Sequence, residues 1–138
     1  MSFAEFRMQS DSVSVREGLI QAFETPPLSR LGPEARAVAE LVLAEVLNNI
    51  VEHAYRDGHG PIVLGFQRAA DALNCRIVDF GERMPEGRLP EGQPPFPRDL
   101  AEGGYGWHLI RSLARDLRYE WVGEGNWLTF ALPLDQSA

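Results

Sequence analysis

Glu45-x-x-x-Asn49-x-x-x-His53, Asp79-Phe80-Gly81 and Gly103-Gly104-Tyr105-Gly106 decide how this chain is read. The first stretch spaces an acid, an amide and an imidazole four residues apart, on one face of a helix. In the second, a carboxylate follows the apolar run Ile77-Val78 at a strand end, with a glycine two residues on. The third is a glycine turn that opens the helical run Trp107–Leu113.

Each stretch carries its own chemistry. Asn49 offers an amide oxygen to a cation, and magnesium prefers oxygen ligands completed by phosphates and water. Glu45 lies one turn away, placed to accept a proton from an attacking hydroxyl. A solvated helix face, with a histidine near the C-terminal end of the dipole, accounts for the same stripe. Asp79 is an acceptor for the amino group of adenine, where a guanine ring would present the wrong pattern. Gly81 lets the backbone approach a flat ligand closely; an ordinary Asp-x-Gly turn has the same sequence. Gly104 and Gly106 sit where free N–H groups and the helix dipole bind phosphate oxygens. A glycine-rich helix start after a loop needs no ligand.

The rest of the chain sets bounds. Its 138 residues suit one domain with one core, and an apolar fraction of 44% indicates a soluble globular protein. No apolar run approaches a membrane span and the N-terminus lacks a basic region followed by an apolar one, so a cytoplasmic location and no membrane partner are expected. A net charge of -7 argues against direct nucleic-acid binding and leaves room for a basic protein partner. The single cysteine, Cys75, falls in an apolar run and reads as a core thiol. All 13 basic residues are arginine. Without lysine, a P-loop and a eukaryotic-type protein kinase are excluded. Phosphate charge must then be met by metal, backbone N–H groups or arginine, with Arg83, Arg88 and Arg98 as candidates.

Periodicity predicts a strand over residues 3–9 and a helix from Ser12 to Phe23, with Ser14 and Glu17 as a capping box. A long helix is expected from Pro33 to about Tyr55, with Val38, Leu41, Val42, Ile50 and Ala54 on its buried side. Ile62–Gln67 and Leu73–Val78 read as a hairpin. Residues 82–102, rich in proline, read as an irregular lid. A helix from about Tyr105 to Asp116 and strands Arg118–Val122 and Trp127–Leu132 complete the chain, with residues 135–138 as an unstructured tail. The three tryptophans, Trp107, Trp121 and Trp127, are expected to pack in the core or on the sheet. Strands and helices mix without regular alternation. The expected fold is a two-layer α/β sandwich, with one mixed, mostly antiparallel sheet and helices on one face.

Taken together, the three stretches resemble the N, G1 and G2 boxes of the GHKL ATPases, and residues 125–133 resemble their closing strand. Within that superfamily the chain is most similar to the bacterial anti-sigma-factor serine kinases, through Glu45 to Tyr55 and the run from Gly104 to Asp116. This resemblance implies a Bergerat-type fold that binds ATP and magnesium. It further implies phosphorylation of a STAS-domain anti-anti-sigma partner on serine or threonine, restraint of a sigma factor, and a homodimer. By matching position, Glu45 is the general base and Asn49 the magnesium ligand. Asp79 binds the adenine amino group, Gly81 lines the adenine pocket, and Gly104 and Gly106 meet the phosphates. His53 matches a motif position without a chemical step. Two positions depart from the pattern: Arg83 stands where a second glycine is usual, and Asn126 where a threonine is usual. A nucleotide-gated anti-sigma or STAS-binding module without kinase activity is the alternative. The detached ATP-binding domain of a histidine kinase is disfavoured, because no helical hairpin with a phosphoacceptor histidine precedes residue 10.

Overall fold

A computed structural model describes residues 3–56, 58–91 and 104–134. Among the described residues, five strands form one sheet in the order β1-β2-β3-β5-β4. They are β1 (Ala4–Gln9), β2 (Pro61–Arg68), β3 (Ala72–Asp79), β4 (Arg115–Val122) and β5 (Gly125–Pro133). The four neighbouring pairs are all antiparallel. Helices α1 (Ser12–Phe23), α2 (Pro33–Asn49) and α3 (Gly104–Leu113) complete the expected two-layer sandwich.

Alternation along the strands explains the single helix-covered face. Ile62, Leu64 and Phe66 of β2, Leu73, Cys75 and Ile77 of β3, and Leu128, Phe130 and Leu132 of β5 point into one core. Val42, Leu43, Val46 and Leu47 of α2 and Ile110 of α3 pack onto them. Burying each such side chain contributes about 1.5–3 kcal/mol. Cys75 lies inside this core as expected, and burial pushes its thiol far above the ordinary range.

Several local expectations are corrected. Asp11, not Ser14, caps α1: its carboxylate accepts from the Ser14 backbone N–H at 2.8 Å and from the Ser14 hydroxyl at 2.8 Å. Leu41 is 44% exposed, because the buried stripe of α2 runs through Ala39, Val42, Leu43, Val46 and Leu47. The third helix ends at Leu113, and β4 starts at Arg115. Ala114 links the two, and Arg115 and Asp116, assigned to the helix, belong instead to β4, whose register shifts between Arg115 and Arg118 with Asp116 at φ 53. The lid is irregular only in part. Residues 85–87 form a 3-10 turn, and Pro90 accepts a hydrogen bond from Arg111 Nε at 2.9 Å. Residues 92–102 and the tail 135–138 lie outside the described residues.

The most consequential difference concerns the long helix. Its α-helical part stops at Asn49, and Ile50–Ala54 continue as a π-helical turn. The Tyr55 N–H reaches back to Ile50 O at 3.0 Å, closing that wider loop. Neither proline nor glycine interrupts residues 45–55, so nothing local announces the change. Such turns recur at functional sites.

Candidate functional site

A cavity of about 690 Å³ opens between the C-terminal part of α2, the π-turn, the ends of β3 and β5, and residues 82–91. Asn49, Ile50, His53 and Ala54 form one wall, and Asp79 and Asn126 another. Trp107, Met84 and Leu128 supply apolar surface. A large cleft with apolar walls and a few convergent polar groups is the usual form of a small-molecule site.

Asp79 ends β3 opposite Asn126 of β5. Both are 5% exposed. Asp79 Oδ1 accepts from Asn126 Nδ2 at 2.7 Å and from the Gly81 N–H at 2.9 Å. Burial raises the Asp79 pKa above the usual carboxylate value, and these two hydrogen bonds oppose it. Among the described residues, both of these hydrogen bonds fall on Oδ1 rather than Oδ2.

Gly81 has a reason the sequence did not show. A Cβ built there would collide with the carbonyl oxygen of Ala54 and lie 2.8 Å from the Ala54 Cβ. The close approach is therefore to the π-turn, within the protein. The Glu82 N–H donates to the same Ala54 oxygen at 2.8 Å. Tyr55 strengthens this junction: its hydroxyl donates to Pro61 O at 2.8 Å and accepts from the Phe80 N–H at 2.6 Å. An exposed ion pair between Arg56 Nε and Glu82 Oε2, at 3.2 Å, spans the rim and adds little in water.

Asn49 lines the cavity at the point where α2 changes pitch. Its amide nitrogen donates to the Glu45 carbonyl at 2.9 Å. Only the NH₂ can donate to a carbonyl, so Oδ1 is the atom left for a cation. That hard oxygen suits magnesium held jointly by one side chain, phosphates and water. Among the described residues, no group of three or more His, Cys, Asp or Glu could hold a metal. A cation here would need its ligand's oxygens as well.

Glu45 is not in the cavity lining; it stands beside it, against α3. A Cβ on Gly106 would meet Glu45 Oε2 at 2.6 Å and lie 3.7 Å from Asn49 Nδ2. The structure thus brings Glu45, Asn49 and Gly106 together where glycine allows two helices to touch. Gly104 is the first residue of α3, and Gly103 lies outside the described residues. His53 is exposed, lines the cavity and sits within the π-turn, so the stripe of residues four apart does not continue as regular helix.

Of the arginines considered for phosphate, Arg88 pairs with Glu86 at 3.4 Å. Arg83 lines the cavity, with its guanidinium 5.9 Å from the Trp121 ring, and Arg98 is outside the described residues. Trp107 is buried and also forms part of the cavity wall. Trp121 is 37% exposed, and Trp127 lies 5.4 Å from the Arg76 guanidinium on the face away from the helices. Tyr55, Met84 and Tyr119 were missed from sequence. Alternation along β4 turns Tyr119 inward, but no local signal pairs its hydroxyl with Asn126.

Comparison with known proteins agrees with this arrangement. Residues 9–132 match the family model described as histidine kinase-like ATPase domain. The chain belongs to that family. Membership implies a capacity to bind nucleotide, and it accounts for a sheet covered on one face by helices. Among individual proteins, the chain is 29% identical over 84 residues to a serine-protein kinase RsbW of Bacillus cereus. It is equally similar to those of Bacillus thuringiensis subsp. konkukian and Bacillus mycoides. These alignments cover 57% of this chain and 52% of the relative. The chain therefore spans about half the length of the curated relatives it matches. No helix among the described residues is long and apolar enough to cross a membrane.

Gly81→Ala is expected to destabilise the fold by about 1–3 kcal/mol, because its methyl group must displace backbone. Urea denaturation would show this as a lower midpoint. An unchanged midpoint would mean that the Ala54 contact is easily relieved.

Proposed function

We propose that this chain is an ATP- and magnesium-dependent serine/threonine protein kinase. Its substrate is a STAS-type anti-anti-sigma partner. In the same partner-switching circuit it holds a sigma factor inactive, acting as a homodimer in the cytoplasm. The observation that carries the reading is the meeting of Glu45, Asn49 and Gly106 beside the cavity that Asn49 and Asp79 both line. The serine-protein kinases matched over half their length support the same class of chemistry.

In this reading the adenine amino group donates to Asp79 Oδ2, and apolar walls such as Met84 and Leu128 receive the ring. The phosphates approach the start of α3, at Gly104 and Gly106, where the N–H groups of a helix N-terminus suit oxygen atoms. Asn49 Oδ1 holds magnesium, which supplies neutralisation of phosphate charge when bound. Glu45 accepts the proton of the attacking serine or threonine hydroxyl. The hydroxyl oxygen bonds to the γ-phosphorus, the bond from that phosphorus to the β,γ-bridging oxygen breaks, and ADP leaves. Such a transfer depends on positioning more than on covalent chemistry by the protein.

A second reading is a nucleotide-gated binding module without useful transfer. One observation favours it: Glu45 stands outside the cavity lining. Transfer of radiolabel from ATP to a small STAS protein separates the two.

Asn49→Ala is expected to abolish magnesium-dependent ATP binding, and unchanged affinity by calorimetry would remove Asn49 from the cation site. Glu45→Ala should keep ATP binding and lose phosphorylation of the partner by about 10²-fold or more, on the order expected for a missing base. Undiminished transfer would refute that role. ATP affinity should also fall as pH drops through the raised Asp79 pKa, since protonation replaces the charged acceptor with a neutral carboxyl that can present a donor to the amino group. Asp79→Asn should flatten that part of the profile; an unaltered profile in the variant would assign the titration elsewhere.

A further inference from the structure

Asn126 is one of the two departures from the family pattern, and its surroundings are unusually complete. Its Nδ2 donates to Asp79 Oδ1 at 2.7 Å and lies 3.0 Å from Glu82 O and 3.3 Å from Gly81 O. Its Oδ1 accepts from the Tyr119 hydroxyl. That hydroxyl in turn accepts from the Met84 N–H at 3.0 Å. The amide nitrogen, with two protons, faces three acceptors, the longest contact sharing a proton, and only the amide oxygen can take the tyrosine proton, so the orientation of Asn126 is fixed at both ends.

The side-chain amide therefore spends both its protons on the protein and does not read a ligand itself. Its effect falls on Asp79, whose Oδ1 is engaged by Asn126 and Gly81, so that among the described residues both donors meet that oxygen and not Oδ2. A carboxylate held this way is an acceptor only. The same bonds hold Gly81, Glu82 and Met84, the first residues of the proline-rich segment, to β4 and β5.

We infer that Asn126 and Tyr119 are positioning residues that set base selectivity: they hold Asp79 by Oδ1 so that Oδ2 accepts from an exocyclic amine and rejects an exocyclic oxo group. The inference rests on the nucleotide reading above and names the residues that make the pocket selective in this chain. Groups around Asp79 are Tyr119 on β4, Tyr55 after the π-turn, and Glu82 and Arg83 in the following loop. His53 and Arg56 line the same cavity. Without the Asn126 donor, burial acts on Asp79 with less opposition, and the carboxyl protonates at higher pH. A protonated carboxyl is also a donor, and it can then satisfy the 6-oxo group of a hypoxanthine ring.

The test compares ATP with inosine 5′-triphosphate by calorimetry, across pH, in the full chain. The wild type is expected to prefer ATP. Asn126→Ala should reduce the ATP-to-ITP affinity ratio by on the order of tenfold, the effect of one hydrogen bond to a charged group. It should also move the midpoint of pH-dependent ATP binding upward. Tyr119→Phe should shift both in the same direction by less, and it keeps the question open to test if Asn126→Ala does not fold. Asn126→Thr retains one hydroxyl donor and should recover part of the ratio. Equal loss of affinity for both nucleotides with an unmoved pH midpoint would reduce Asn126 to a structural role and overturn the inference while the nucleotide reading stands. Failure of the folded wild type to bind either nucleotide would overturn both.

Discussion

A buried carboxylate facing a buried amide across two antiparallel strands is the constraint on which the site depends. Desolvating Asp79 is unfavourable, and two donors to one of its oxygens offset that cost. Those donors come from different places. Asn126 is brought by the register of β5 against β3, and Gly81 by the sharp turn after β3. A shift of one residue in that register would turn Asn126 to the other face of the sheet and leave the carboxylate half-partnered. The cavity wall is thus coupled to the sheet core through Ile77 and Leu128, which pack one step further into the same strands.

The second constraint is the end of α2. Where it becomes a π-turn, backbone groups that an α-helix would use internally become available. Ala54 O takes the Glu82 N–H, and the adjoining Gly81 fits only because it has no side chain. One end of the helix is thereby fastened to the turn that carries Asp79. A turn and more earlier on the helix, Glu45 and Asn49 face Gly106 of α3. A single helix therefore relates the carboxylate-anchored wall to the glycine-rich helix start. Its rigidity sets their separation.

These contacts also show what Arg83 and Asn126 do in this fold. Arg83 sits between two anchored residues. Its neighbours are held, with the Met84 N–H on Tyr119 and the Glu82 N–H on Ala54. The Arg83 side chain lies toward the Trp121 ring. Asn126 uses its amide to join Asp79, the loop and Tyr119 in one network. The front of the proline-rich segment is consequently part of the folded domain.

Much of this protein was readable from its residues alone. Alternating apolar positions in residues 62–67 and 73–78, and the 3.6-residue stripe of α2, report burial directly, so the two-layer sandwich and its core followed from local pattern. Glu45, Asn49 and Asp79 stood out as polar residues that interrupt those patterns, and Gly106 as a glycine at a helix start. What local pattern could not contain is any contact between segments far apart in sequence. The π-turn at Ile50–Ala54, the fit of Gly81 against Ala54 and the Asp79–Asn126–Tyr119 network were decided only on folding. Each depends on groups that meet through sheet register and helix packing, and hydrogen-bond geometry acts across space over distances that no spacing along the chain encodes.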